Sequence, residues 1–116
     1  MLHRPVFKGN ERSYLVETID SNFVSSVGAR VTEFEERIAA YMGAARAVAT
    51  VNGTSALHMA LLLAGVRAGD EVISQALTFV ASCNVISEIG AWPIFVDVDA
   101  DAMGMSPKAP HRLLDA

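Results

Sequence analysis

The hydrophobic residues of this chain switch repeatedly between a helical spacing of three to four and short continuous apolar runs, with glycine or proline near most switches. This alternation limits the fold more than any single residue does. It predicts helices alternating with short buried strands, hence an α/β fold with right-handed crossovers and a largely parallel sheet. The clearest helix is Arg30 to Met42: Val31, Phe34, Ile38 and Tyr41 recur on one face, Glu33 precedes Arg37 by four, and Gly43 suits the position just beyond the end. A first helix is expected from Glu11 to about Asp20, with Asn10 as its cap and Leu15 and Ile19 on one face. Asn22 to Gly28 reads as a loop.

Ala47 to Val51 is a short apolar stretch expected to form a strand, and Asn52-Gly53 leads into a helix from Thr54 to about Ala64. That helix is apolar on nearly every face, so it is expected to be buried inside a larger body. Gly65 ends it, Gly69-Asp70 turns the chain, and Glu71 to Ser74 follows as a strand with Val72 and Ile73 inward. Thr78 to Ser82 then feeds a helix whose apolar Val85, Ile86 and Ile89 stop at Gly90, and beyond Pro93 a last strand runs from Ile94 to Asp97.

At 116 residues, 52% hydrophobic and 19% charged, the chain has the composition of one globular domain. A net charge of −4 offers no basic stripe for a phosphate backbone, so nucleic acid is excluded as a partner. The single Cys83 cannot form an intrachain disulfide or a multi-cysteine zinc site and fits a reducing compartment, with cytoplasm as the expected location. Met1 to Gly9 lacks the apolar core of a signal peptide, and the longest apolar run, Met59 to Ala64, is too short to span a membrane.

In a parallel α/β sheet, ligands sit beyond the carboxyl ends of strands, where helix N-termini present free amides to anions. Asn52-Gly53-Thr54-Ser55 is expected at such an end. Gly53 lets backbone approach closely, Thr54 and Ser55 offer amides and hydroxyls, and the helix dipole favours a phosphate dianion. The same four residues also read as ordinary helix capping. No residue set points to a metal: Asp97, Asp99 and Asp101 imitate a calcium loop, but Ala102 replaces its turn glycine and Lys108 its bidentate glutamate. His58, with His3 and His111 far off in sequence, reads as a packed or hydrogen-bonded histidine, and Cys83 as a small core residue. A dinucleotide-binding half is excluded by the lack of a G-x-G-x-x-G loop and of an acid at the second strand end.

Six segments in one order resemble the DegT/StrS sugar aminotransferase family: Asn22 to Gly28, Phe34-Glu35, Val51 to His58, Gly69 to Ile73, Leu77 to Ser82, and Phe95 to Asp99. The resemblance runs from about Gly9 to about Pro107. Gly9-Asn10-Glu11 and Met103 to Pro107 are most similar to the branch making 4-amino sugars for nonulosonic acids such as legionaminic acid. It implies a fold-type I large domain that binds pyridoxal 5′-phosphate (PLP), with residues 1–29 as N-terminal helix and loop and 30–116 as alternating helix and strand. It further implies transfer of an amino group from glutamate to a nucleotide-linked keto sugar, and a homodimer with active sites between subunits. Gly53, Thr54 and Ser55 would bind the cofactor phosphate, and Phe79 would stack on the pyridine ring. A flat cationic ring does favour an aromatic face, although Phe79 alone also reads as an ordinary core phenylalanine. Ser25, Ser26 and Gly28 read either as lining a sugar site in a dimer partner or as a plain turn.

Transamination also needs a lysine to hold the cofactor and move a proton, and a carboxylate beside the pyridine nitrogen. The resemblance places both after residue 116, and Lys8 and Lys108, the only lysines present, lie in no matching motif. No catalytic residue is therefore assigned, and the chain alone is expected to be an inactive N-terminal portion cut after its third strand, with the middle of the parent sheet missing. A sugar dehydratase of the same family and a non-catalytic binding module are the alternatives.

Overall fold

The computed structural model describes residues 4–25 and 27–106. It holds six elements, α1 (Glu11–Asp20), α2 (Ala29–Met42), α3 (Gly53–Leu63), β1 (Glu71–Gln75), α4 (Ala81–Glu88) and β2 (Trp92–Val96), in that order. They fall into two compact units, Met1–Ala49 and Thr50–Ala116.

In the first unit α2 begins one residue before the expected start and stops where Gly43 takes a left-handed φ of 64°. There the N–H of Ala44 reaches the carbonyl of Ala39 at 2.9 Å and that of Gly43 reaches Ala40 at 3.3 Å, closing the helix end. The Glu33–Arg37 pair forms at 3.4 Å. Asn10 does not cap α1 with its side chain. Its backbone (φ −91°, ψ 11°) is close to helical rather than extended, which turns Oδ1 away from the first amides, and Nδ2 instead faces the Tyr14 hydroxyl at 3.4 Å. Arg30 of α2 ties the two helices: its guanidinium pairs with Glu17 of α1 and with Glu33 at 2.7 Å, and lies 4.0 Å over the Tyr14 ring. The apolar residues expected on one face, Leu15, Ile19, Phe34 and Ile38, stay exposed.

Ala47 to Val51 is not a strand. A strand exists only through a neighbour that completes its ladder, and no such neighbour is paired with this stretch among the described residues. Val48 and Val51 are exposed. One ladder bond is replaced by a side chain, since the N–H of Ala49 donates to Glu35 Oε1 at 2.8 Å.

The second unit is built on β1 and β2, which pair in parallel with Glu71 opposite Trp92 and Gln75 opposite Val96. β2 starts two residues earlier than expected and takes in Pro93, opposite Val72. α4 packs on both strands and supplies Ala81, Val85 and Ile86 to a small core completed by Ala91 and Val96. Successive strand residues point to opposite faces, so Val72 and Ile73 cannot both face α4, and both are half-buried. α3 packs against α4, yet none of its residues is buried. Leu57, Met59, Leu62 and Leu63 remain exposed within this chain, which supplies nothing that covers them among the described residues.

The connections that lead into the two strands clasp each other. The N–H of Gly69 donates to Gly90 at 2.9 Å and that of Trp92 to Asp70 at 2.7 Å. Gly90 has φ +82°, and a Cβ there would sit 3.0 Å from the Ala68 Cβ. Gly90→Ala is therefore expected to destabilise this unit by about 1–3 kcal/mol, measured as a lower denaturant midpoint at unchanged m-value.

A second expected outcome concerns acid. The hydrogen bond from Arg30 holds the Glu33 carboxyl below its usual range, so folding releases a proton from Glu33 more readily than the unfolded chain does. The contribution of the pair is in place above the unfolded carboxylate value of about 4.3 and is lost as pH falls through the lower folded value. Arg30→Gln should flatten the stability profile of the first unit in that acid window, read by thermal melts from pH 6 downward.

Candidate functional site

The sequence-predicted phosphate loop occupies the first turn of α3. Asn52 is fully extended (φ −163°, ψ 171°), the geometry in which a side chain can reach forward, and its Oδ1 accepts the N–H of Ser55 at 2.8 Å. Its carbonyl accepts the N–H of Ala56 at 3.1 Å and the Thr50 hydroxyl at 3.1 Å. Capping is thus done by Asn52, and the residues after it are left over. Among the described residues no acceptor meets the N–H groups of Gly53 and Thr54, and no partner meets the hydroxyls of Thr54 and Ser55. The capping reading of this motif is the one realised, and it leaves these donors unused.

A Cβ built on Gly53 meets nothing within 4 Å, so there is room beside the amides for an incoming group. The first turn carries no acidic residue, and the sequence of α3 contains no Asp, Glu, Lys or Arg at all. Two free amides, two free hydroxyls and the positive end of an 11-residue helix form a donor set suited to a phosphate and poorly suited to a cation.

Phe79 lies in the connection between β1 and α4 and is 76% exposed, so it is not a core residue of this chain. No atom of Phe79 comes within 4 Å of a Cβ built on Gly53. The connection is braced locally: Gln75 Nε2 donates to the Leu77 carbonyl at 2.7 Å, and the hydroxyls of Thr78 and Ser82 lie 3.4 Å apart. His58 is hydrogen-bonded, as the sequence suggests, but half-buried rather than core, with Nδ1 3.2 Å from Glu88 Oε2 of α4. Nothing in residue order signals Glu88 as its partner, 30 positions away. Cys83 is half-buried. Ser25 is exposed, a Cβ on Gly28 would press on Phe23 at 3.1 Å, and Ser26 lies outside the described residues. Lys8 is exposed, and Lys108, His3 and His111 lie outside the described residues. The acidic loop after β2 has a structural use for Asp99, whose Oδ1 accepts the N–H groups of Asp101 at 2.9 Å and Ala102 at 3.1 Å. None of the described helices is long and apolar enough to cross a membrane.

Comparison with known proteins places this geometry in a family. GDP-perosamine synthase of Caulobacter vibrioides is 47% identical over 95 residues, covering 82% of this chain and 26% of that protein. UDP-4-amino-4-deoxy-L-arabinose–oxoglutarate aminotransferase of Shewanella sediminis is 38% identical over 86% of this chain and 26% of that protein. Among solved structures, Spr1654 of Streptococcus pneumoniae superposes in its PMP-form with a TM-score of 0.83 at 33% identity, over 93% of this chain and 27% of that one. Its PLP-form gives 0.75 at 34% identity, over 88% and 26%. This chain therefore spans about a quarter of the length of the relatives it matches. The sequence profile of the DegT/DnrJ/EryC1/StrS aminotransferase family matches residues 5–115. The fold is that of part of a fold-type I PLP-dependent transferase, and the chain belongs to the DegT/DnrJ/EryC1/StrS aminotransferase family.

Proposed function

We propose that this chain is the N-terminal portion of a PLP-dependent enzyme that transfers an amino group from glutamate to a nucleotide-linked keto sugar for polysaccharide or amino-sugar synthesis in the cytoplasm. The observation that carries this reading is the unused donor set on the first turn of α3, in a chain matched to the family over nearly its whole length. Bound PLP supplies an electron sink through which an amino group can pass between two carbon skeletons. The chain's own part is to hold that cofactor. Gly53 and Thr54 amides with the Thr54 and Ser55 hydroxyls would take the phosphate, and Phe79 would offer its exposed ring to the pyridine face.

The strand and helix directions support bringing these residues to one edge. α4 joins two parallel strands and so runs opposite to them, which starts it at their carboxyl end, just after Phe79. α3 leads through Ala64 to Asp70 into the start of β1. Its 11 residues are roughly 16 Å long, and a five-residue strand is also about 16 Å. A helix running back along the strand would thus begin near the strand's carboxyl end. The names of the relatives support the substrates: one contains a GDP-linked sugar, the other a UDP-linked amino sugar together with oxoglutarate, the keto acid left when glutamate gives up its amino group. Homodimerisation of the longer protein, with the nonulosonic branch as its pathway, completes the proposal.

The 116 residues alone are proposed to bind PLP without turnover, because neither Lys8 nor Lys108 stands in a family motif. Titration with PLP should show weak binding that inorganic phosphate competes away. Thr54→Ala with Ser55→Ala should weaken it roughly tenfold or more, since each lost bond to a charged oxygen is worth about 1.5–3 kcal/mol. Unchanged affinity in the double variant would refute the assignment. Borohydride trapping followed by peptide mapping should give only scattered, substoichiometric lysine labelling, and stoichiometric labelling of Lys8 or Lys108 with glutamate-dependent turnover would overturn the inactive-portion reading.

A further inference from the structure

α3 and α4 are nearly devoid of charge. α3 reads Gly-Thr-Ser-Ala-Leu-His-Met-Ala-Leu-Leu-Leu, with His58 its one ionisable side chain, and α4 has Glu88 as its one charged residue. These two side chains, 30 positions apart, meet at 3.2 Å across the packed helices. Both are partly solvated, at 34% and 57% exposure, so an ion pair there is worth at most about 1 kcal/mol of stability. Its value lies elsewhere.

The rest of α3 gives little information about register. Alanine, leucine and methionine occupy most positions after Ser55, so apolar contact with α4 is available at more than one longitudinal setting. Apolar attraction is non-directional, whereas a charged or hydrogen-bonded pair is satisfied in one setting only, which is how single polar residues select register in coiled helices. A slip of one turn would displace the first turn of α3 by about 5.4 Å relative to α4. Hydrogen bonds of roughly 2.7–3.2 Å to a phosphate do not tolerate such a shift.

We propose that His58 and Glu88 are positioning residues that set the register of α3 against α4, and so place the Gly53, Thr54 and Ser55 donors relative to the Phe79 connection. The consequence for ligand binding rests on the PLP reading above, whereas the register itself does not. The two are separated by measuring each in the 116-residue chain. Methyl NOEs between α3 and the Val85 and Ile86 region of α4 report register without ligand, and titration with PLP reports the site.

His58→Ala and Glu88→Ala place the best helix former at both positions, so neither weakens its helix through propensity. Each should shift or average the interhelical NOEs and weaken PLP binding about 3- to 10-fold. The exchanged pair, H58E with E88H, should restore the wild-type NOE set and bring affinity back to within about twofold, a rescue that general loss of packing would not give. Alanine variants that keep the wild-type NOE set would overturn the proposal, as would an exchanged pair that is unfolded or has altered NOEs. If the alanine variants do not fold, the exchanged pair decides alone. A wild-type chain that binds no PLP would sink the cofactor reading while the NOE comparison still decides the register.

Discussion

Two parallel strands cannot be joined by a tight turn, and this constraint fixes the second unit. Pairing β1 with β2 in parallel obliges the chain to return across one face, and α4 is that return. Burying Val85 and Ile86 against Val96 and Ala91 is what the return contributes. The Gly69–Gly90 and Asp70–Trp92 bonds then close the edge at which both strands start. Gly90 can serve there because it reaches positive φ and leaves room for Ala68. The opposite edge, where the strands end and α4 begins, is left without such a closure.

At the start of α3 one residue does the capping. Asn52 satisfies the Ser55 amide and takes two further donors on its carbonyl, which stabilises the helix start without using the amides ahead of it. A neutral cap also leaves the helix start without the negative charge that a carboxylate cap would bring. The absence of any acidic residue from α3 acts in the same sense.

Legibility in the sequence followed the range of the forces involved. The helices carrying strong periodicity or glycine stops, α2 and α4, could be read to within a residue or two because spacing and capping are local. The Asn52–Ser55 turn was equally readable, since its donors and acceptors lie within four residues. Ala47 to Val51 failed for the opposite reason: its composition is that of a strand, but a ladder is a property of two segments. Asn10 failed on backbone torsion, which residue type does not determine. The Arg30 contacts with Glu17 and Tyr14, Glu35 with Ala49, and His58 with Glu88 all join residues 13 to 30 positions apart, and no spacing rule announces them.

The exposed apolar surface has the same physical origin as the missing strand. Val48 and Val51, the face of α3 with Leu57, Met59, Leu62 and Leu63, and Phe95 of β2 are all exposed, while the buried hydrophobic residues among those described are Ala81, Val85, Ile86, Ala91 and Val96. A soluble domain of this length ordinarily buries well over half of its surface, and five small and medium buried side chains are a small core for about a hundred residues. Additional apolar surface meeting α3 and the 47–51 stretch would therefore stabilise the arrangement. That agrees with relatives about four times as long, in which the segments equivalent to this chain make up only a quarter of the protein. Surfaces that are liabilities in 116 residues are then the contacts through which the first turn of α3 would be held rigid.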